Sequence, residues 1–240
     1  MFNEEGGARR CIEVVTQALR EFPYRTELIV VNDGSADQTA AILRDCSGST
    51  EGLTVVTHER NLGYGHALQT GGLAAAERGH DFVVFMDSDL TNDPRSIGAF
   101  IAKIEAGCDL VKASRYIPGG GVEGVPPWRY WISRVGNTIA RLLYGLPIHD
   151  CTNGFRAVRT ALIRKMTLGE RGFAAIMEEL YLAKWLRARV GEVPYVLTAR
   201  TETLRPSSFQ YRPGLFYRYL KYPILAFFRI PPGKKHAQPI

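Results

Sequence analysis

The chain has 240 residues, 45% of them hydrophobic and 22% charged, with a formal net charge of +6. That length holds one substantial core, and the composition is globular, which excludes a disordered or fibrous chain. Four scattered cysteines, five histidines without an H-E-x-x-H, and no run of ~18 apolar residues argue against a disulfide scaffold, a zinc enzyme and a spanning helix.

In chain order, residues 26–32 (Thr-Glu-Leu-Ile-Val-Val-Asn) predict a buried strand, followed by a turn at 33–39 that opens a helix. Ser35 and Gln38 have the spacing of a capping box there. Residues 53–57 predict a second strand, then a Gly-rich turn and an alanine-rich helix to about Gly79. The apolar run 81–86 predicts a third strand that ends in Asp87-Ser88-Asp89, with Pro94 near the start of the next helix and another strand at 109–114. This alternation predicts an α/β fold with a mostly parallel, Rossmann-like sheet flanked by helices and its ligands at the C-terminal strand ends. Such a sheet ordinarily opens with a strand, whereas a helical pattern follows Met1-Phe2-Asn3-Glu4-Glu5 at once. The expectation is that a first strand is lacking and that in-frame DNA upstream encodes it.

The second half is less regular. After a Gly/Pro loop at 118–127, residues 128–144 read as a helix with Trp128, Trp131, Ile132, Val135, Ile139 and Leu142 on one side. That pattern suits a core-facing helix or one lying on a membrane surface. Residues 215–230 repeat the theme, with a kink or break expected at Pro223. From Thr203 to the end there are basic residues and no acids, a charge of +7 that leaves −1 for the rest of the chain. Interleaved aromatics in this segment suit an anionic bilayer better than stacked single-stranded nucleic acid. The domain reading is therefore 1–211 for the α/β body and 212–240 for a basic, aromatic, amphipathic membrane-surface tail.

Asp87 and Asp89 are the central chemical signal. Two carboxylates at a strand end repel unless a cation or donor compensates them, and a divalent metal that also holds a diphosphate would do so. Alone, D-x-D is also what surface acids after a strand look like. Residues 61–68 are not a dinucleotide loop, because Leu68 stands where the third glycine belongs, and the only Gly-Lys pair, Gly233-Lys234, is no P-loop.

Together, Asn3-Glu4, Val31-Asn32-Asp33-Gly34-Ser35, Asp87-Ser88-Asp89-Leu90-Thr91, Ser114-Arg115-Tyr116, Arg129 with Ser133, Asp150 to Phe155, and Arg205-Pro206-Ser207-Ser208 resemble the motifs of family 2 glycosyltransferases of GT-A fold. The resemblance, over nearly the whole chain, is to their dolichyl-phosphate mannose synthase-like, polyprenyl-phosphate branch. It implies inverting transfer of a hexose from a nucleotide-sugar donor to a polyprenyl phosphate. Asn3, Glu4, Asp33, Asp87 and Arg205 would bind the donor, and Asp87, Asp89 and Thr91 would hold Mg2+ or Mn2+. Asp89, Arg115, Arg129 and Ser133 would carry catalysis, the arginines gathering the acceptor phosphate. Thr91 stands where the family has glutamine, and the 205–208 loop lacks the family's lysine and glycine. The enzyme would sit peripherally on the cytoplasmic face of the membrane, with no nucleic-acid partner. The rival readings are a transferase acting on a glycan hydroxyl, with Glu178 as its base, and an N-terminally truncated inactive remnant.

Overall fold

The computed structural model describes residues 1–198 and 213–233. Arg205, with the rest of the 205–208 loop, lies outside the described residues. Helix α1 (Ala8–Leu19) comes first, its apolar stripe Ala8, Cys11, Ile12, Val15 and Ala18 turned inward. Strand β1 (Leu28–Asn32), helix α2 (Thr39–Ser49), strand β2 (Leu53–Thr57), helix α3 (Tyr64–Glu77) and strand β3 (Phe82–Phe85) follow in the predicted order. A 3-10 turn at Pro94–Ser96 leads into α4 (Ile97–Glu105), and β4 spans Leu110–Ser114. The capping box does not form. The Ser35 hydroxyl accepts from the Asn3 N–H, and Thr39 N–H donates to Asp37 instead.

The second half adds β5 (Gly121–Val122), α5 (Pro127–Tyr144), β6 (Arg156–Arg159), α6 (Thr160–Ile163), α7 (Ala175–Trp185), β7 (Val190–Pro194), β8 (Val196–Leu197) and α8 (Pro213–Phe227). Strands β1 and β2 pair in parallel, and a four-stranded sheet has the order β3-β6-β4-β7. Within it β4 and β7 are parallel, but β6 runs antiparallel between β3 and β4. The sheet is thus more mixed than a doubly wound reading predicts. On the free edge of β1, the Met1 amino group donates to Val31 O at 2.6 Å and Asp33 N–H donates to Met1 O at 2.9 Å, one rung of parallel pairing.

Side chains alternate across the four-stranded sheet, so neighbouring residues serve opposite cores. Val111 and Ala157 pack with Phe100 and Ile104 of α4, while Leu110 and Val158 pack with the cluster that holds Met177 and Leu180 of α7. Tyr222 and Ala226 of α8 join that second cluster, so the helix read as part of a tail shares the main core. Helix α8 runs through Pro223 without a break.

One polar contact ties three elements together. Glu27 accepts from Thr54 Oγ1 at 2.5 Å and Arg78 Nε at 2.7 Å, and lies 2.7 Å from His80 Nε2. Burial opposes its ionisation, but Arg78, Thr54 and His80 outweigh burial and hold its pKa at about 2. The unfolded chain has an ordinary glutamate pKa of about 4.3. The stability from this ionised group is therefore present above about pH 4.3 and is lost as pH falls toward 2. Glu27→Gln is expected to destabilise by about 2 kcal/mol at pH 7. In urea unfolding across pH, the gap to wild type should close below pH 4.3; a pH-independent gap would mean lost packing instead.

Candidate active site

Because β6 is antiparallel, its beginning lies at the same edge of the sheet as the ends of β3 and β4. That places the 150–154 loop beside Asp87 and Arg115. A Cβ added to Gly154 would sit 3.0 Å from the Tyr64 hydroxyl and 3.5 Å from Asp87 Oδ2, so the loop backbone lies close against both side chains.

The D-x-D turn is tightly built. Leu90 has φ +57°, a left-handed conformation that costs a leucine ~1–2 kcal/mol. Asp89 Oδ1 accepts from the Thr91 N–H at 3.1 Å and the Thr91 hydroxyl at 2.6 Å. Thr91 therefore orients Asp89, and its hydroxyl is turned to that carboxylate. Asp87 N–H donates to Asn92 Oδ1 at 2.9 Å. Among the described residues no three His, Cys, Asp or Glu side chains gather as a metal-holding group. Asp87 and Asp89, the expected metal ligands, are both half-buried. Hard oxygen ligands of this kind suit Mg2+ or Mn2+ that takes its remaining ligands from phosphate and water.

The N-terminal residues expected to bind the donor are hydrogen-bonded to the segment 36–39. Asn3 Oδ1 accepts from the Ala36 N–H at 2.8 Å, and Glu4 N–H donates to Thr39 Oγ1 at 2.7 Å. Asp33, expected to hold the nucleoside, is buried. Its carboxylate accepts from Leu62 and Gly63 N–H at 2.9 Å each, and His58 Nδ1 lies 2.7 Å away. Burial disfavours its charge, but those partners outweigh it and hold its pKa below the ordinary value. These contacts tie Asp33 to the 60–63 loop ahead of α3.

On the other side stands a network that motif reading did not disclose. Arg115 makes a bidentate pair with Asp150 (Nε–Oδ2 2.7 Å, NH2–Oδ1 2.9 Å) and donates to Thr152 Oγ1 at 3.1 Å. Asp150 is fully buried. Burial opposes its ionisation, yet Arg115 and then Lys112 hold its pKa down. Arg115 is therefore no solvated charge; it is held rigid by its partner. Asn137, also buried, donates to Thr152 Oγ1 at 3.1 Å and to Ser133 O at 2.8 Å, and accepts the Cys151 and Thr152 N–H groups. The Tyr116 hydroxyl donates to Ser133 Oγ at 2.7 Å. Ser133 is thus tied to Tyr116 and Asn137. Arg129, one turn earlier on α5, is exposed with its guanidinium 5.2 Å from the Trp128 ring. Beneath the loop the buried Lys112 amine donates to the Asn153 and Cys151 carbonyls, and burial lowers its pKa to about 8.

Glu178 is neither a surface residue nor poised as a base. It is buried, with Oε2 accepting from Gly169 and Glu170 N–H at 2.9 and 2.8 Å. Of the six apolar residues read on one side of α5, all are exposed, Trp131 by 60% and Leu142 by 72%. The core-facing alternative for that side is overturned. Asn137, Ala140 and Tyr144 are the residues α5 buries.

Residues 1–167 match the family profile described as Glycosyl transferase family 2. The chain is 32% identical over 180 residues to a polyprenol monophosphomannose synthase of Mycolicibacterium smegmatis, covering 73% of this chain and 68% of that one. It is 31% identical over 203 residues to a dolichol-phosphate mannosyltransferase of Pyrococcus furiosus, covering 83% of this chain and 55% of the relative. A crystal structure of glucosyl-3-phosphoglycerate synthase from Mycobacterium tuberculosis, with Mn2+, UDP-glucose and glycerol 3-phosphate, aligns at TM-score 0.66 and 21% identity. That alignment covers 100% of this chain and 84% of the other, and the shared architecture is the GT-A fold.

Proposed function

The chain belongs to glycosyl transferase family 2 and is a glycosyltransferase, and from that premise we propose that it moves a hexose from a GDP-mannose- or UDP-glucose-type donor to a polyprenyl phosphate, with inversion at the anomeric carbon. The names of both relatives, a polyprenol and a dolichol-phosphate mannose transferase, support this acceptor class. The observation that carries the reading is the rigid Arg115–Asp150–Thr152 cluster beside the D-x-D turn.

A phosphate monoester, with a second pKa of about 6, is already ionised near pH 7 and needs no base. Its oxygen forms the new bond to the anomeric carbon as the bond to the nucleotide diphosphate breaks, and the diphosphate leaves with the electron pair. The protein has to hold two anions together, for which Arg115 on the braced loop and Arg129 with Ser133 on α5 are suited. A hydroxyl acceptor would require a carboxylate to take its proton. Glu178, the candidate for that role, is buried and engaged with backbone N–H groups. Asp87 and Asp89 would hold Mg2+ or Mn2+, which when bound offsets the charge of the departing diphosphate. Asn3 and Glu4 would line the nucleoside side, with Arg205 closing over the diphosphate.

The test is incubation of the purified chain with GDP-mannose or UDP-glucose and polyprenyl phosphate in lipid vesicles. A solvent-extractable, acid-labile glycolipid of inverted anomeric configuration is the expected product. Transfer only to a water-soluble acceptor would overturn the acceptor reading.

A polyprenyl acceptor keeps the enzyme at the bilayer. No described helix is long and apolar enough to cross a membrane. The exposed side of α5, the exposed Tyr217 and Phe227 of α8 and Phe228 just after it, with Arg129, Arg134, Arg218 and Lys221, suit peripheral binding at an anionic cytoplasmic leaflet. Replacing Trp128 and Trp131 together by serine is expected to weaken binding to phosphatidylglycerol vesicles by about 10–100-fold in a flotation assay. Unchanged flotation would remove α5 from the membrane contact.

A further inference from the structure

Tyr195 lies between β7 and β8, outside every motif read at the site, and is buried. Its hydroxyl donates to the carbonyl of Thr91 and accepts from Asn92 Nδ2 at 3.3 Å. The other end of the Asn92 amide accepts the Asp87 N–H at 2.9 Å. One hydroxyl thus reaches both ends of the 87–91 turn, directly at Thr91 and through Asn92 at Asp87. The Tyr195 backbone is fixed to the opposite half of the site. Its N–H donates to Ser114 O at 3.0 Å, next to Arg115, and its carbonyl accepts from Gly121 N–H at 3.0 Å. The ring packs edge-on against Phe155 at 5.6 Å.

We infer that Tyr195 is a positioning residue that sets the Asp87–Asp89 turn at a fixed place relative to Arg115. The physical case begins with Leu90, whose left-handed backbone persists only where the surroundings over-determine it. The Tyr195–Asn92 pair supplies that constraint, since without the hydroxyl the Thr91 carbonyl and the Asn92 amide would each lose a buried partner. A relaxed turn would separate the two carboxylates from a common ligand position. Outer-shell partners of this kind are worth about 10–100-fold in metal affinity. The inference rests on the reading of Asp87 and Asp89 as the cation's ligands.

The test is Mn2+ binding, read from the free-ion electron paramagnetic resonance signal with GDP or UDP present, without turnover. Tyr195→Phe keeps the ring and its contact with Phe155, and should raise the Mn2+ dissociation constant about 10-fold. Asn92→Ala breaks the same chain one link later and should act in the same direction. Transfer by Tyr195→Phe should recover when Mn2+ is raised by the same factor, which a merely structural lesion would not allow. Tyr24→Phe, which removes an exposed hydroxyl bonded to Glu105 at 3.0 Å, should bind as wild type does. Wild-type Mn2+ affinity in Tyr195→Phe would overturn the inference while leaving the metal reading intact. Wild-type protein without Mn2+ affinity, or binding unaffected by Asp89→Ala, would overturn both.

Discussion

Asp89→Ala is expected to lower sugar transfer by about 10³-fold, equivalent to ~4 kcal/mol of transition-state stabilisation. The expectation follows from position. Asp89 ends the D-x-D turn, and the Thr91 hydroxyl and N–H hold its Oδ1 in one orientation. Removing the carboxylate leaves Asp87 alone to face a diphosphate of the same sign. The measurement is initial-rate transfer at saturating donor across a Mn2+ series, paired with thermal melts in nucleotide. Wild type should be stabilised by nucleotide only with the metal, by ~2.7 kcal/mol at 100 times the dissociation constant. The variant should lose that increment and keep its ligand-free melting temperature. A variant that transfers at the wild-type rate would remove Asp89 from the chemistry.

Asp150→Ala is expected to act on stability as well as activity. Asp150 is fully buried and accepts from the Arg115 guanidinium at two points, from the Arg115 N–H at 3.1 Å and from the Asn153 N–H at 3.2 Å. Deleting one partner of such a pair strands the other charge in a low-dielectric site, at a cost of about 3–5 kcal/mol. Arg115 would then be free to leave the Thr152 side of the cluster, and transfer should fall with it. Urea unfolding of Asp150→Ala against Arg115→Met and the double variant measures the coupling. The double variant should be less destabilised than the sum of the singles, because it leaves no unpaired charge. Strict additivity would mean that the pair is not what holds the loop. The folded Asp150 pKa is depressed, so its contribution is present above the ordinary aspartate value of about 3.9 and is lost as pH falls below it.

Strands β1 to β4 and helices α3 to α5 were legible in the residues, because each carries its own period of apolar side chains and its own Gly or Pro boundary. The D-x-D pair was legible for the same local reason, two acids at the end of an apolar run. Strand β6 was not. It is four residues, Arg156 to Arg159, bounded by arginines that mask its alternation. The inner one is fully buried because Glu179 of α7 pairs with it, NH2 to Oε2 at 2.8 Å. Neither charge marks its partner in the sequence.

The sequence by itself therefore determined the succession of strands and helices from β1 to β4 and the place of two carboxylates at the end of β3, since both depend on residues within one turn or strand of each other. Tertiary structure alone decided which polar groups do what. Antiparallel insertion of β6 carried Asp150 to Arg115, 35 residues apart, and the β7–β8 link carried the Tyr195 hydroxyl to Thr91, 104 residues apart. It also turned Asp33 toward His58 and the 60–63 loop, and buried Glu178 under two N–H groups. A buried polar atom must find a partner or lose the free energy of its lost water, and the partner it finds is set by long-range strand pairing, which leaves no periodic trace in either segment.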